Sequence, residues 1–220
     1  MWMQGFYRRY GRASAESSGR RTIRMNIVDK SKEIVKYICE NFEEWDLDDP
    51  VEEEYIDDYE DLAGAKEEEI KAFEDTFDIE LPKAFKELYR YKNGSGYMCA
   101  LPCVIGERDM TFCLMSLDRI TTSKGYFQNK DALLADYPDF FSAQDIERLS
   151  DSRIKPYLFN KRWFPFAEYC DSCYLMLDMN PGDDGKVGQI ICYIHDPDEV
   201  VYVSESLEKL VSEVYDEICS

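Results

Sequence analysis

Apolar positions along the chain change period partway through. From Met25 to Trp45 they recur at Ile34, Ile38, Phe42 and Trp45, spacings of four, four and three that lie on one helical face. Lys66 to Phe77 repeats the pattern with Ile70, Phe73 and Phe77. After a break at Asp78, Leu81-Pro82 opens a further helix whose inward residues are Phe85, Leu88 and Tyr89, and Asn93-Gly94 offers a left-handed stop. Beyond this the runs shorten to strand length. Tyr97 to Val104 and Asp109 to Ser116, interrupted by Pro102 and separated by the Gly106–Arg108 turn, predict the first edge of a sheet. Residues 117 to 162 are longer than a simple connection and carry helix signals at Asp131 to Tyr137 and at Ala143 to Leu149, the latter capped by Ser142 with Asp145 in its first turn.

The stretch from Trp163 to His195 reads as strand and hairpin. Cys173 to Asp178 and Gly188 to His195 are strands, with Asn180-Pro-Gly-Asp-Asp-Gly185 as turn; Gly182 and Gly185 can take positive φ there. A strand at Glu199 to Val203 and a helix from Leu207 to Cys219 close the chain, the helix facing inward through Leu207, Leu210, Val211, Val214 and Ile218 and capped by Ser204 or Ser206. Helices, then a meander, then a helix describe an α+β fold. Its sheet of five or six short strands is mostly antiparallel, because the turns are too short for crossovers, and it packs with N-terminal, inserted and C-terminal helices.

Composition sharpens the picture. A length of 220 residues with 45% hydrophobic content suits one core with an appendage. Three regions follow: a basic leader over residues 1–24, an N-terminal helix and acidic linker over 25–65, and the α+β domain over 66–220. The leader holds Arg8, Arg9, Arg12, Arg20, Arg21 and Arg24 against Glu16 and reads as disordered, either a transit peptide or the product of an upstream start codon. Asp46 to Asp61 is nearly all carboxylate with Tyr55, Ile56 and Tyr59 interleaved, and reads as a solvated, extended linker or as a lure for a basic partner. The net charge of −20 argues against nucleic acid as ligand and is compatible with a basic protein partner. No apolar run approaches membrane-spanning length and no signal-peptide segment is evident, so the expected location is cytoplasmic, where the eight cysteines stay reduced.

Several blocks of residues together resemble the SUKH superfamily. They are Trp163-x-Pro165-Phe166-Ala167, Tyr174-Leu175-x-Leu177-Asp178, the turn Pro181-Gly182-x-Asp184-Gly185-x-x-Gly188-Gln189, the strand ending His195-Asp196, and upstream Leu81-Pro82 through Asn93-Gly94. The resemblance covers roughly residues 66 to 219. It implies the α+β fold and a role without catalysis: relatives include a yeast regulator of glucan synthesis and many bacterial proteins that bind and neutralise toxins.

Cys170-x-x-Cys173 has zinc-ligand spacing, but Cys99 and Cys103 straddle a proline and make no second tight pair, and Cys99, Cys113 and Cys192 fit as core thiols. The single histidine, His195, lies on the wrong strand parity for Cys192 and is expected to cap a strand and pair with Asp196. Counting a calcium loop from Asp178 puts Asp183 where glycine is needed and Gln189 where a bidentate glutamate is needed. Gly182, Gly185 and Gly188 are interleaved with aspartates that would repel phosphate. Trp163 and Pro165 suit either a recognition groove or the core. With no cofactor and no bound metal expected, the resemblance and the acidic charge imply a protein-binding module, most simply an immunity protein for a basic, nuclease-type toxin, with a regulatory scaffold as alternative and a metal-dependent enzyme as the weaker one. The candidate contact residues are Trp163, Pro165, Glu168, Asp171, Asp178, Asp183, Asp184 and His195.

Overall fold

The structure is a computed structural model and describes residues 25–41, 53–126 and 130–219. Its elements, in chain order, are α1 (Ile27–Glu40), α2 (Glu53–Asp61), α3 (Glu67–Phe77), α4 (Lys83–Tyr91), β1 (Cys99–Ile105), β2 (Arg108–Leu114), α5 (Leu117–Tyr126), β3 (Ala132–Leu133), α6 (Ala143–Leu149), β4 (Tyr157–Phe159), β5 (Trp163–Tyr169), β6 (Cys173–Asp178), β7 (Gln189–Ile194), β8 (Glu199–Ser204) and α7 (Leu207–Ile218). Six strands form one antiparallel sheet in the order β1-β2-β5-β6-β7-β8, and β3 pairs with β4 apart from it. The expected α+β architecture is what is found.

Capping residues start three of the helices, Ser142 and Ser206 among those the sequence offered and Asn26 in addition. Asn26 accepts from the Asp29 amide at 3.0 Å and Asp29 reciprocates, so α1 opens with a capping box; Ser142 and Asp145 do the same for α6, and Ser206 caps α7. The α1 face sought a partner and finds it: Ile27, Ile34, Val35 and Ile38 are buried and the helix packs against α7. Phe42 and Trp45, the other expected members of that face, lie outside the described residues, as does the basic leader.

Three expectations need correction. Residues 53–61, read as part of an extended acidic linker, form helix α2. Two contacts supply what local charge denies: Tyr59 is buried, and the Lys92 ammonium donates to the carbonyls of Tyr59, Glu60 and Leu62 at 2.8, 2.8 and 2.6 Å. A cation there answers carbonyls that the end of a helix leaves without partners. Asp46 to Glu52 lie outside the described residues. Residues 131–137, expected as helix, give the short strand β3 and a single 3-10 turn over Leu134–Asp136, because pairing with β4 claims the backbone: Ala132 is in register with Phe159 and the Leu134 amide donates to the Pro156 carbonyl. Asn93-Gly94 does not end α4. The helix stops at Tyr91 with Lys92 extended, while Gly94 takes φ +92° where the backbone passes the Ser116 amide.

Helix α5 was not foreseen, its moderate amphipathicity being hidden in a threonine- and serine-containing stretch. It buries Ile120 and the whole of Lys124, whose ammonium donates to the carbonyls of Lys161 and Trp163 at 2.6 and 2.8 Å and sits 4.6 Å above the Phe164 ring. Burial pushes this amine down to about 7.

The sheet is covered unequally. One face carries Phe164, Phe166, Leu175, Leu177, Ile190 and Cys192 into the main core under the helices. The other carries Trp163, Met176 and Ile191, covered by Ile154 and Tyr157 of the inserted segment, with Tyr174, Tyr193, Val200 and Tyr202 only partly buried beside them. Among the described residues no helix is long and apolar enough to cross a membrane.

Candidate partner-binding surface

Consecutive hairpins decide which of the candidate residues can meet. Trp163, Asp178 and Gln189 are register partners across β5, β6 and β7 and form one buried row. The Asp178 carboxylate accepts from the Asn180 amide at 2.8 Å and from the Gln189 side chain at 2.9 Å, and Gln189 also donates to the Arg153 carbonyl at 2.7 Å. Burial pushes Asp178 above the usual carboxylate range, against the pull of those donors, of the Trp163 indole and of Lys155. The indole N–H makes no hydrogen bond of ordinary geometry, so its effect on Asp178 is that of a nearby dipole.

The glycine turn belongs to the same arrangement. Gly182 and Asp184 amides donate to the carbonyls of Arg153 and Ser152 at 2.9 and 3.1 Å, and a Cβ on Gly182 or Gly185 would stand 2.4 or 2.3 Å from those carbonyl oxygens. Close approach, and not positive φ, is therefore why glycine stands at 182 and 185; of the turn's glycines only Gly188 takes a positive φ, +88°. Pro165 is buried beside a bulge in β5 and just short of the residues that pair with β2, which is how a central strand tolerates it. Trp163, Pro165 and Asp178 are thus parts of the framework, and as contact residues they are corrected: they present no surface.

Glu168, Asp171 and His195 come together at one end of the sheet, where the β5–β6 and β7–β8 turns lie side by side. Cys170 and Asp171 both have positive φ, +48° and +52°, at the centre of a turn closed by the Ser172 amide donating to the Tyr169 carbonyl at 3.2 Å, and Asp171 is exposed. Glu168 pairs with Arg119 of α5, and Asp171 lies 4.0 Å from the same guanidinium. Burial lifts the Glu168 carboxyl, Arg119 lowers it and Asp171 raises it further. His195 pairs with Asp198 at 2.8 Å, not with Asp196, which instead occupies a left-handed turn position at φ +62°. The Tyr193 hydroxyl donates to the same Asp198 oxygen at 2.6 Å, Tyr174 donates to the Asp171 carbonyl, and the two phenol rings stack with centroids 6.5 Å apart.

Asp183 and Asp184 are exposed but lie at the opposite end, with the six residues of β6 between, about 20 Å at the usual rise per residue. Sequence reasoning missed Arg119, Tyr174, Tyr193 and Asp198. The strand alternation could have marked the tyrosines, since each sits between a buried cysteine and a buried aliphatic residue; nothing local marks Arg119, which arrives from another element.

This end of the sheet offers carboxylates, phenols and one imidazole for hydrogen bonding and charge recognition. Cys170 is exposed and Cys173 buried, so the pair shares no side, and among the described residues no group of three or more His, Cys, Asp or Glu side chains could hold a metal ion. A groove of about 380 Å³ opens beside the inserted segment between Leu134, Ile146, Leu149, Ile154, Tyr157 and Val200.

His195 gives the surface a titration that can be followed alone. Its partner Asp198 raises it above the ordinary 6.5. A raised folded value means that the pair stabilises the turn fully below the unfolded value and loses that contribution as pH rises through the folded one. NMR titration of the imidazole is expected to show a midpoint above 6.5, returning towards 6.5 in Asp198→Asn; equal midpoints in both proteins would refute the pairing.

The family model described as SMI1 / KNR4 family (SUKH-1) matches residues 64–213. No curated protein matches the chain.

Proposed function

We propose, from the premise that this chain belongs to the SMI1 / KNR4 family (SUKH-1), that it is a protein-binding module of the immunity kind which neutralises a basic toxin domain. Family membership supports an immunity or regulatory module in general; the observation that carries the narrower reading is the acid-bearing, tyrosine-lined end of the sheet, where exposed Asp171 and His195 stand beside partly buried Glu168 and Asp198. A nuclease toxin must be basic to grip phosphate, and a carrier of net charge −20 steers it. Tyrosines beside carboxylates supply contact area at low entropic cost.

The test is kinetic, with a partner captured from the native cell and shown to be toxic without this protein. Glu168→Gln with Asp171→Asn is expected to slow association, flatten its salt dependence and speed dissociation, because losing one side of a desolvated charge pair costs about 2–5 kcal/mol. Asp183→Asn with Asp184→Asn, at the far end, is expected to change association only modestly. Equal effects at both ends would move the contact, and unchanged, salt-independent rates for both variants would favour the regulatory scaffold.

A further inference from the structure

Two cysteines that the binding reading does not use face each other at the sheet edge. Cys99 of β1 and Cys113 of β2 are register partners, both half-buried, with sulfurs 3.4 Å apart. Directly opposed residues of an antiparallel ladder have Cα atoms roughly 4.5–5.5 Å apart, inside the roughly 4.4–6.8 Å that a disulfide spans. Closing the sulfurs to the bonded distance of about 2.05 Å therefore asks for side-chain rotation and not for movement of a strand. A register shift follows between Cys99 and Leu101, next to the pair.

We propose that Cys99 and Cys113 are a modification site, forming a reversible cross-strand disulfide by exchange with a low-molecular-weight disulfide of the glutathione type. One protein thiol gives up its proton, and the thiolate attacks a sulfur of the small disulfide, breaking its S–S bond. The first small thiolate leaves and takes up that proton. The second protein thiol, deprotonated in turn, attacks the protein sulfur of the mixed disulfide and expels the other small thiolate, which is protonated likewise. Two protein thiols are oxidised and one small disulfide is reduced to two thiols. The contact with Cys99, together with burial, raises the Cys113 thiol, so exchange is slow near neutrality and quickens as pH rises.

The bond would tie the first residue of edge strand β1 to Cys113 of β2, which is itself in register with Glu168 across the β2–β5 ladder. It closes a loop between residues 14 apart in sequence, which removes freedom from the unfolded chain.

The full chain, kept native, is incubated in oxidised glutathione at mildly alkaline pH, quenched in acid, alkylated with and without reduction, and mapped by mass spectrometry. The expected result is one linked peptide joining Cys99 to Cys113, a melting temperature several degrees above that of the reduced protein, and reversal of both by reduced glutathione. Cys99→Ser and Cys113→Ser should each lose the rise. The proposal is overturned if all eight cysteines remain alkylatable at equilibrium, if the linkage maps to any other pair, or if the Cys99–Cys113 bond forms only in denatured protein. The peptide map decides even if a serine variant fails to fold.

Discussion

Replacing Trp163 with alanine is expected to lower stability by about 3–5 kcal/mol, the range for deleting a large aromatic from a packed interior. Trp163 is 0% exposed and packs with Met176, Ile191 and Ile154, with the Tyr157 ring edge-on at 6.4 Å. The loss would spread, because the indole lies in one cross-strand row with Asp178 and Gln189, and Gln189 in turn holds the Arg153 carbonyl. Urea unfolding should show a lower midpoint with an unchanged slope. A variant as stable as the parent that fails to bind a partner would instead return Trp163 to the recognition surface.

Gly64→Ala is expected to cost about 2–4 kcal/mol through overpacking and lost backbone hydrogen bonds. An added Cβ would stand 1.8 Å from the Arg90 carbonyl oxygen and 2.5 Å from its carbon, both backbone atoms with nowhere to rotate. The chain on either side is bonded to the same helix end, Ala65 amide to Tyr89 carbonyl at 2.8 Å and Asn93 amide to Ala63 carbonyl at 3.0 Å. Pushing them apart should also loosen α2 from Lys92, so hydrogen exchange is expected to quicken over residues 53–65 before the sheet is affected. Gly125→Ala, in α5 with nothing within 4 Å of the added carbon, is the control and should not lower stability. Equal behaviour of the two variants would show that the approach at Gly64 is not tight.

Where local rules act alone, the sequence could be read directly. Ser142 and Ser206 announce their helices because a cap acts on amides three residues away, and the hairpin from Cys173 to His195 follows from alternation around a turn. The chain's own pattern also established α+β and a mostly antiparallel sheet, since the links between most neighbouring strands leave no room for a crossover. Position along the chain could not tell whether Trp163, Pro165 and Asp178 line a groove or fill a core, because a buried aromatic and a binding aromatic look alike until something is seen to cover them. Here Ile154 and Tyr157 cover Trp163, from an insert whose path depends on carbonyls accepting from Gly182, Asp184 and Gln189.

Charge was the other place where sequence and structure parted. A run of carboxylates repels itself in isolation, but buried Tyr59 and the carbonyls that accept from Lys92, 30 or more residues later, hold residues 53–61 as a helix. His195 was assigned to its neighbour Asp196, but a left-handed backbone at Asp196 turns the chain and brings Asp198 to the imidazole. Composition, caps and periodicity, which act over a turn or two of chain, were determined by the sequence itself. Which carboxylates share a surface, why glycine is required at 182 and 185, and where Arg119 arrives were decided by tertiary structure, because each depends on groups brought together from distant parts of the chain.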